Sequence, residues 1–214
     1  MLRRFFVFAV FGSFLGLVAG CTNPNDLDQP AVDLGDFRLG HNIVIAPKME
    51  KGPLSREKSK EEWTAAVQAR IAERFDRYEG EKLYHFGVSL EGYVLAQPGI
   101  PIVASPKSAL IMRITVWDNA ANKKLNEKAH QIIVFEQLSG EQVIGSGLTQ
   151  SADQQLENLS KNAAKMIELW LVRKKAEETA RLRAMQEKAA DKQAEADALR
   201  AKRAQEDYER AWRK

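Results

Sequence analysis

The chain has 214 residues, with 32 Lys and Arg, 29 Asp and Glu, three His and one Cys. At 44% apolar and 29% charged it can build one core, which excludes a wholly disordered chain and a multi-span membrane protein. A single cysteine excludes an intramolecular disulfide and a thiolate zinc cluster, and a net charge of +3 spread over so many ionised groups gives no footprint for nucleic acid.

Arg3 and Arg4 precede an uncharged apolar run from Phe5 to Ala19. A basic start, a short apolar run and then small residues form an export signal. The run is shorter than the roughly 20 residues a membrane-crossing helix needs. It closes on Leu17-Val18-Ala19-Gly20-Cys21, which resembles the lipobox of bacterial lipoproteins. The resemblance implies that residues 1–20 are a signal peptide cleaved before Cys21. The Cys21 thiol would take a diacylglyceryl chain as a thioether and its freed amine an acyl chain, so the covalent lipid stands where a cofactor would. Two or three acyl chains anchor stably, at about 0.8 kcal/mol per buried methylene. By the lipoprotein sorting rule, Thr22 rather than Asp after the cysteine implies the periplasmic face of the outer membrane.

Residues 21–36 are rich in Asn, Asp and Pro and read as a flexible tether. Residues 37–172 read as one globular domain. His41–Ala46 (HNIVIA) forms a short buried strand stopped by Pro47. Ser59 with Glu62 makes a capping box. Trp63, Val67, Ile71, Phe75 and Tyr78 then form the stripe of an amphipathic helix that Gly80 ends. Tyr84, Phe86, Val88, Leu90 and Val94 share one face of a strand and His85, Ser89 and Glu91 the other. Ala109–Trp117 and Gln131–Phe135 are further strands, and Gln142–Thr149 a weaker one. A second helix starts near Ser151 or Ala152, with Leu156, Leu159, Ala163, Met166 or Ile167, and Trp170 facing the sheet. The order β-α-β-β-β-β-α predicts an α+β fold, an antiparallel sheet of four to five strands with two helices on one face.

From Arg173 the composition changes. Residues 173–214 hold 11 Ala, 13 Lys and Arg and 9 Asp and Glu, without Gly or Pro, so the last helix should run on as a charged rod. Its large aliphatic residues, Leu182, Met185 and Leu199, give only the outline of a coiled-coil seam with Ala189 and Ala196. The rod carries a net +4 and residues 21–172 a net −3.

Few residues carry a chemical signature. His41, His85 and His130 lie on three different strands without a closely spaced pair, so separate hydrogen-bonded histidines are favoured over a metal site. Gly145-Ser146-Gly147 lacks the rest of a phosphate loop, and no G-x-S-x-G elbow is present. The stretch Gln97–Lys107 is stiffened by three prolines and displays Ile100, Ile102 and Val103, either as a docking loop or folded back over the core. The C-terminal Trp212-Arg213-Lys214 resembles the end of the murein (Braun) lipoprotein, whose terminal lysine amine is linked to peptidoglycan. That likeness implies a covalent cell-wall attachment at Lys214. The expectation is therefore a non-catalytic, lipid-anchored accessory or scaffold protein of a cell-envelope system. Its partners would be the bilayer and an envelope protein. The alternative is a tether from outer membrane to peptidoglycan.

Overall fold

The computed structural model describes residues 23–97, 108–136 and 150–213. These form two compact units, residues 23–31 with 35–168, and residues 32–34 with 169–213. In the first unit, β1 (Arg38–Ile45), β2 (Glu50–Lys51), α1 (Lys60–Phe75), β3 (Leu83–Val94), β4 (Ala109–Asp118), β5 (Lys123–Lys124) and β6 (His130–Phe135) follow in order. Helix α2 (Ala152–Trp212) starts there and continues through the second unit.

The architecture is α+β, and the sheet is mixed. β3 pairs with β4, and β4 with β5 and β6, antiparallel, whereas β1 and β2 run parallel to β3. The expectation of a wholly antiparallel sheet fails at β1. Short polar links do produce antiparallel neighbours, but β1 reaches β3 through α1, and a helical crossover brings the chain back in its original direction. The strand expected at Gln142–Thr149 lies outside the described residues.

Helix α1 begins as its sequence predicts. The Ser59 hydroxyl accepts from the Glu62 amide at 3.1 Å, and the Ser59 amide donates to Glu62 Oε2 at 2.8 Å. The Lys58 ammonium, with the Ser59 backbone and hydroxyl, holds the Glu62 carboxyl down at about 2. Trp63, Val67, Ile71 and Phe75 are fully buried. Their rings meet the sheet, Trp63 lying 5.0 Å from Tyr93 and Phe75 edge-on to Phe86 at 5.0 Å.

The helix ends at Phe75 with Asp76 as its cap, before the Gly80 that the sequence placed there. Gly80 serves β1 instead. Its amide donates to the Phe37 carbonyl at 2.9 Å, and a Cβ on it would stand 2.3 Å from the Phe37 nitrogen. Because that neighbour is backbone, Gly80→Ala must push the two segments apart. Urea unfolding is expected to show a loss of about 1–3 kcal/mol; an unchanged midpoint would mean the contact is dispensable.

On β3, Phe86, Val88 and Leu90 point to the helices. The pairing with β4 then shifts between Leu90 and Gly92, leaving Glu91 as the extra residue of a bulge. Beyond it the alternation changes phase, so Tyr93 and Leu95 are buried and Val94 is not, contrary to the unbroken alternation expected. Within the first unit, α2 opens on a second capping pair, Ser151 with Gln154. It buries Leu156, Leu159, Ala163 and Ile167. Lys58, just ahead of α1, pairs with Asp153, Arg70 with Glu157 and Arg74 with Glu168, in the same order along both segments, so α1 and residues 152–168 of α2 lie side by side and parallel.

In the second unit, Lys175 Nζ pairs with Asp33 Oδ1 at 2.7 Å. The helix surface carries pairs three residues apart, Lys174 with Glu177 and Arg200 with Asp197, of the kind worth little individually. Leu182, Met185 and Leu199 are exposed on it.

Candidate functional site

Two features of the first unit stand out. The first is the face of the sheet turned away from the helices. Antiparallel and mixed sheets with one solvated face normally place polar residues there. Here Ile43 and Ile45 of β1, Ile111 of β4, and Ile133 and Phe135 of β6 are 37–57% exposed. Register sets them in two bands. Ile43 lies beside Gly87 and Ile45 beside Ser89, while Ile111 lies beside Ile133. Between the bands, the small residues Gly87 and Ser89 floor a groove of about 340 Å³. Glu91, aimed by the bulge, and Arg113, opposite Ser89, line the same groove. Neither side chain makes an ion pair or hydrogen bond with any described residue. Scattered apolar residues are ordinary on a surface, but two apolar bands flanking one groove mark an interaction site.

The second feature is an ionic clasp. Arg74, Lys165 and Glu168 are at most 5% exposed at their side chains. Glu168 accepts from Arg74 Nη1 at 2.9 Å, Lys165 Nζ at 2.7 Å and the Tyr78 hydroxyl at 2.9 Å. Two buried cations with one carboxylate would leave a charge uncompensated, at a cost of several kcal/mol. The N-terminal segment supplies the second anion. Asp26 accepts from Arg74 at 2.7 Å and from Lys165 at 2.5 Å, and Arg74 also donates to the Pro24 carbonyl at 2.7 Å. Arg77 takes the carbonyls of Leu27 and Gln29 at 3.1 and 2.9 Å. Of the stretch expected to be a flexible tether, the described residues 23–36 carry no helix or strand, but residues 24–29 are held by Arg74, Arg77 and Lys165. Burial works against the Asp26 carboxylate, yet the Lys165 and Arg74 hydrogen bonds outweigh it and set its pKa below the usual 3.8. Burial, with the Glu168 charge beside it, pushes the Tyr78 hydroxyl up.

The residues singled out in the sequence fare differently. Cys21, Lys214, Ile100, Ile102 and Val103 lie outside the described residues. His41 and His85 come together, rings stacked at 4.8 Å, and the His41 amide donates to His85 Nδ1 at 2.8 Å. That leaves the His85 proton on Nε2, facing Asn119 Oδ1 at 3.3 Å. His130 sits on β6, away from both, paired with Ile114. Among the described residues no group of three or more His, Cys, Asp or Glu is placed to hold a metal ion, and no helix is long and apolar enough to cross a membrane.

Comparison with known proteins adds the following. Residues 149–214 match the trichohyalin-plectin-homology domain. Over 41 residues the chain is 68% identical to cilia- and flagella-associated protein 45 of Chlamydomonas reinhardtii, covering 19% of this chain and 8% of that protein. The human protein of the same name is 69% identical over 42 residues, covering 20% and 8%. The chain therefore spans about a twelfth of the length of these curated relatives. Among solved structures, protein XCC0632 from Xanthomonas campestris aligns over 68% of this chain and 85% of its own, at 8% identity and a TM-score of 0.36. Hypothetical protein CT253 from Chlamydia trachomatis aligns over 62% and 98%, at 9% identity and a TM-score of 0.32.

Proposed function

We propose that this chain is a bacterial envelope lipoprotein, anchored through an acylated Cys21 to the periplasmic face of the outer membrane. It serves there as a non-catalytic accessory or scaffold subunit. The observation that carries the reading is the run Leu17-Val18-Ala19-Gly20-Cys21 standing just ahead of the clasp. Pro24 is the first residue the clasp holds, and three residues of chain reach at most about 11 Å. On this reading the lipid is joined almost directly to a folded unit, and the clasp transmits the pull of the anchor to both helices. The match to a cilia protein covers 8% of that protein, and that protein's role is not carried over to this chain.

Cys21→Ser tests the anchor. The wild-type chain is expected to incorporate labelled fatty acid and fractionate with membranes, and the variant to accumulate as an unprocessed, unlabelled precursor. A variant that matures normally, or a wild-type chain found in the cytosol, would sink the proposal. The alternative, attachment to peptidoglycan through Lys214, makes a separate demand. Muramidase digestion of sacculi should release a protein–muropeptide adduct that disappears when Lys214 is deleted.

A further inference from the structure

We infer that the open face of the sheet is a self-association surface that takes a second copy of this chain. The inference does not depend on the lipid anchor. A two-fold interface must be its own complement, each residue meeting in the partner what the partner's copy meets in it. This face carries both halves of such a match. Glu91 and Arg113 are opposite charges lining one groove with no partner in the described structure. Ile43 and Ile45 stand as a ridge beside the trough floored by Gly87 and Ser89.

Strand spacing decides whether the two matches can be met together. With neighbouring strands about 4.8 Å apart and about 3.3 Å per residue along them, Glu91 and Arg113 lie on adjacent strands displaced diagonally across the sheet. A two-fold axis in the plane of the face, bisecting that diagonal, exchanges Glu91 with Arg113. The same operation sets Ile45 of each copy over the notch between Ile43, Gly87 and Ser89 of the other. It brings Ile111 and Ile133 against their counterparts. The strands of the two sheets then cross near a right angle, one of the two arrangements in which sheets pack face to face. A shift that met only the charges or only the ridge would have argued for a different partner; here one operation satisfies both. The bulge contributes directly, because the extra residue it creates is Glu91.

Sedimentation velocity on the purified full chain in mild detergent, over a concentration series, tests this. The wild-type chain is expected to show a concentration-dependent dimer. Glu91→Arg and Arg113→Glu should each raise its dissociation constant at least tenfold, since each sets like charges against one another. The double exchange should restore dimerisation to within a few-fold of wild type, and Ile45→Lys should abolish it. All three substituted positions are on the open face, so circular dichroism and thermal melting of the four variants should match the wild type and separate lost association from lost folding. A wild-type chain that stays monomeric would overturn the inference. So would a dimer indifferent to these substitutions, which would be held elsewhere, or single reversals that the double exchange does not rescue.

Discussion

Replacing Glu168 with alanine is expected to lower the unfolding free energy by about 3–5 kcal/mol, a large share of the 5–15 kcal/mol a domain carries. The size follows from what is left behind. Arg74 and Lys165 would remain buried with only Asp26 as counter-charge, and the Tyr78 hydroxyl would lose its acceptor. Glu168→Gln keeps the shape and one acceptor, so its cost should be smaller. Urea unfolding followed by circular dichroism measures both, and a Glu168→Ala midpoint equal to wild type would show that the clasp contributes nothing. Acid provides an independent handle. The Asp26 pKa is lowered in the folded state, which therefore binds fewer protons than the unfolded chain as pH falls. The Asp26 contribution is complete well above its ordinary 3.8 and drains away as pH drops through that value towards the folded one. Asp26→Asn should flatten this limb of the stability–pH curve while lowering stability at neutral pH. It should also expose residues 23–31 to protease sooner than the remainder of the first unit.

How much of this was legible beforehand depended on whether the governing contact was local. The capping box at Ser59 is short-range and could be read directly, as could a helix start near Ser151, where a second capping pair stands. So could the stripe from Trp63 to Phe75 and the burial of Leu156, Leu159 and Ile167, because helical spacing alone selects those faces. The parallel pairing of β1 could not be read from linker length, since it depends on where α1 returns the chain. The bulge at Glu91 had a faint signal in Gly92, a glycine inside a strand, which the alternation of its neighbours masked. The open face was hidden by its own composition. Ile43-Val44-Ile45 is apolar on both sides and therefore reads as a strand covered twice, whereas only Val44 is buried. The clasp left one trace. Arg74 stands at the spacing of Val67, Ile71 and Tyr78, an arginine on the buried stripe, which implies an acid waiting inside. Its partners are 48 and 94 residues away in the chain, beyond the reach of any local pattern.

Phe86→Ala is the second large effect expected, about 3–5 kcal/mol. The Phe86 ring is 1% exposed and sits where three segments converge. Phe75, the last residue of α1, meets it edge-on at 5.0 Å, and Phe37, from the approach to β1, lies 6.0 Å away. Phe37 in turn stacks on Tyr84 at 5.1 Å and meets Tyr78 edge-on at 5.4 Å. Truncation leaves a cavity that these rings can fill only by moving, and two of them are fixed elsewhere. The Phe37 backbone is pinned by Gly80, and the Tyr78 hydroxyl is held by Glu168. Poor collapse places the cost in the upper part of the range for a buried aromatic. Phe86→Leu retains most of the volume and should lose much less. A double-mutant cycle of Phe86→Leu with Phe75→Leu should then return a coupling of about 0.5–1.5 kcal/mol for the edge-on pair. A coupling near zero would reduce that geometry to mere area burial. Because Tyr78 belongs to both the aromatic cluster and the clasp, Phe86→Ala should also speed proteolysis of residues 23–31, which Phe86 does not itself hold. An unchanged cleavage rate there, with the expected loss of stability, would show that core and clasp yield independently.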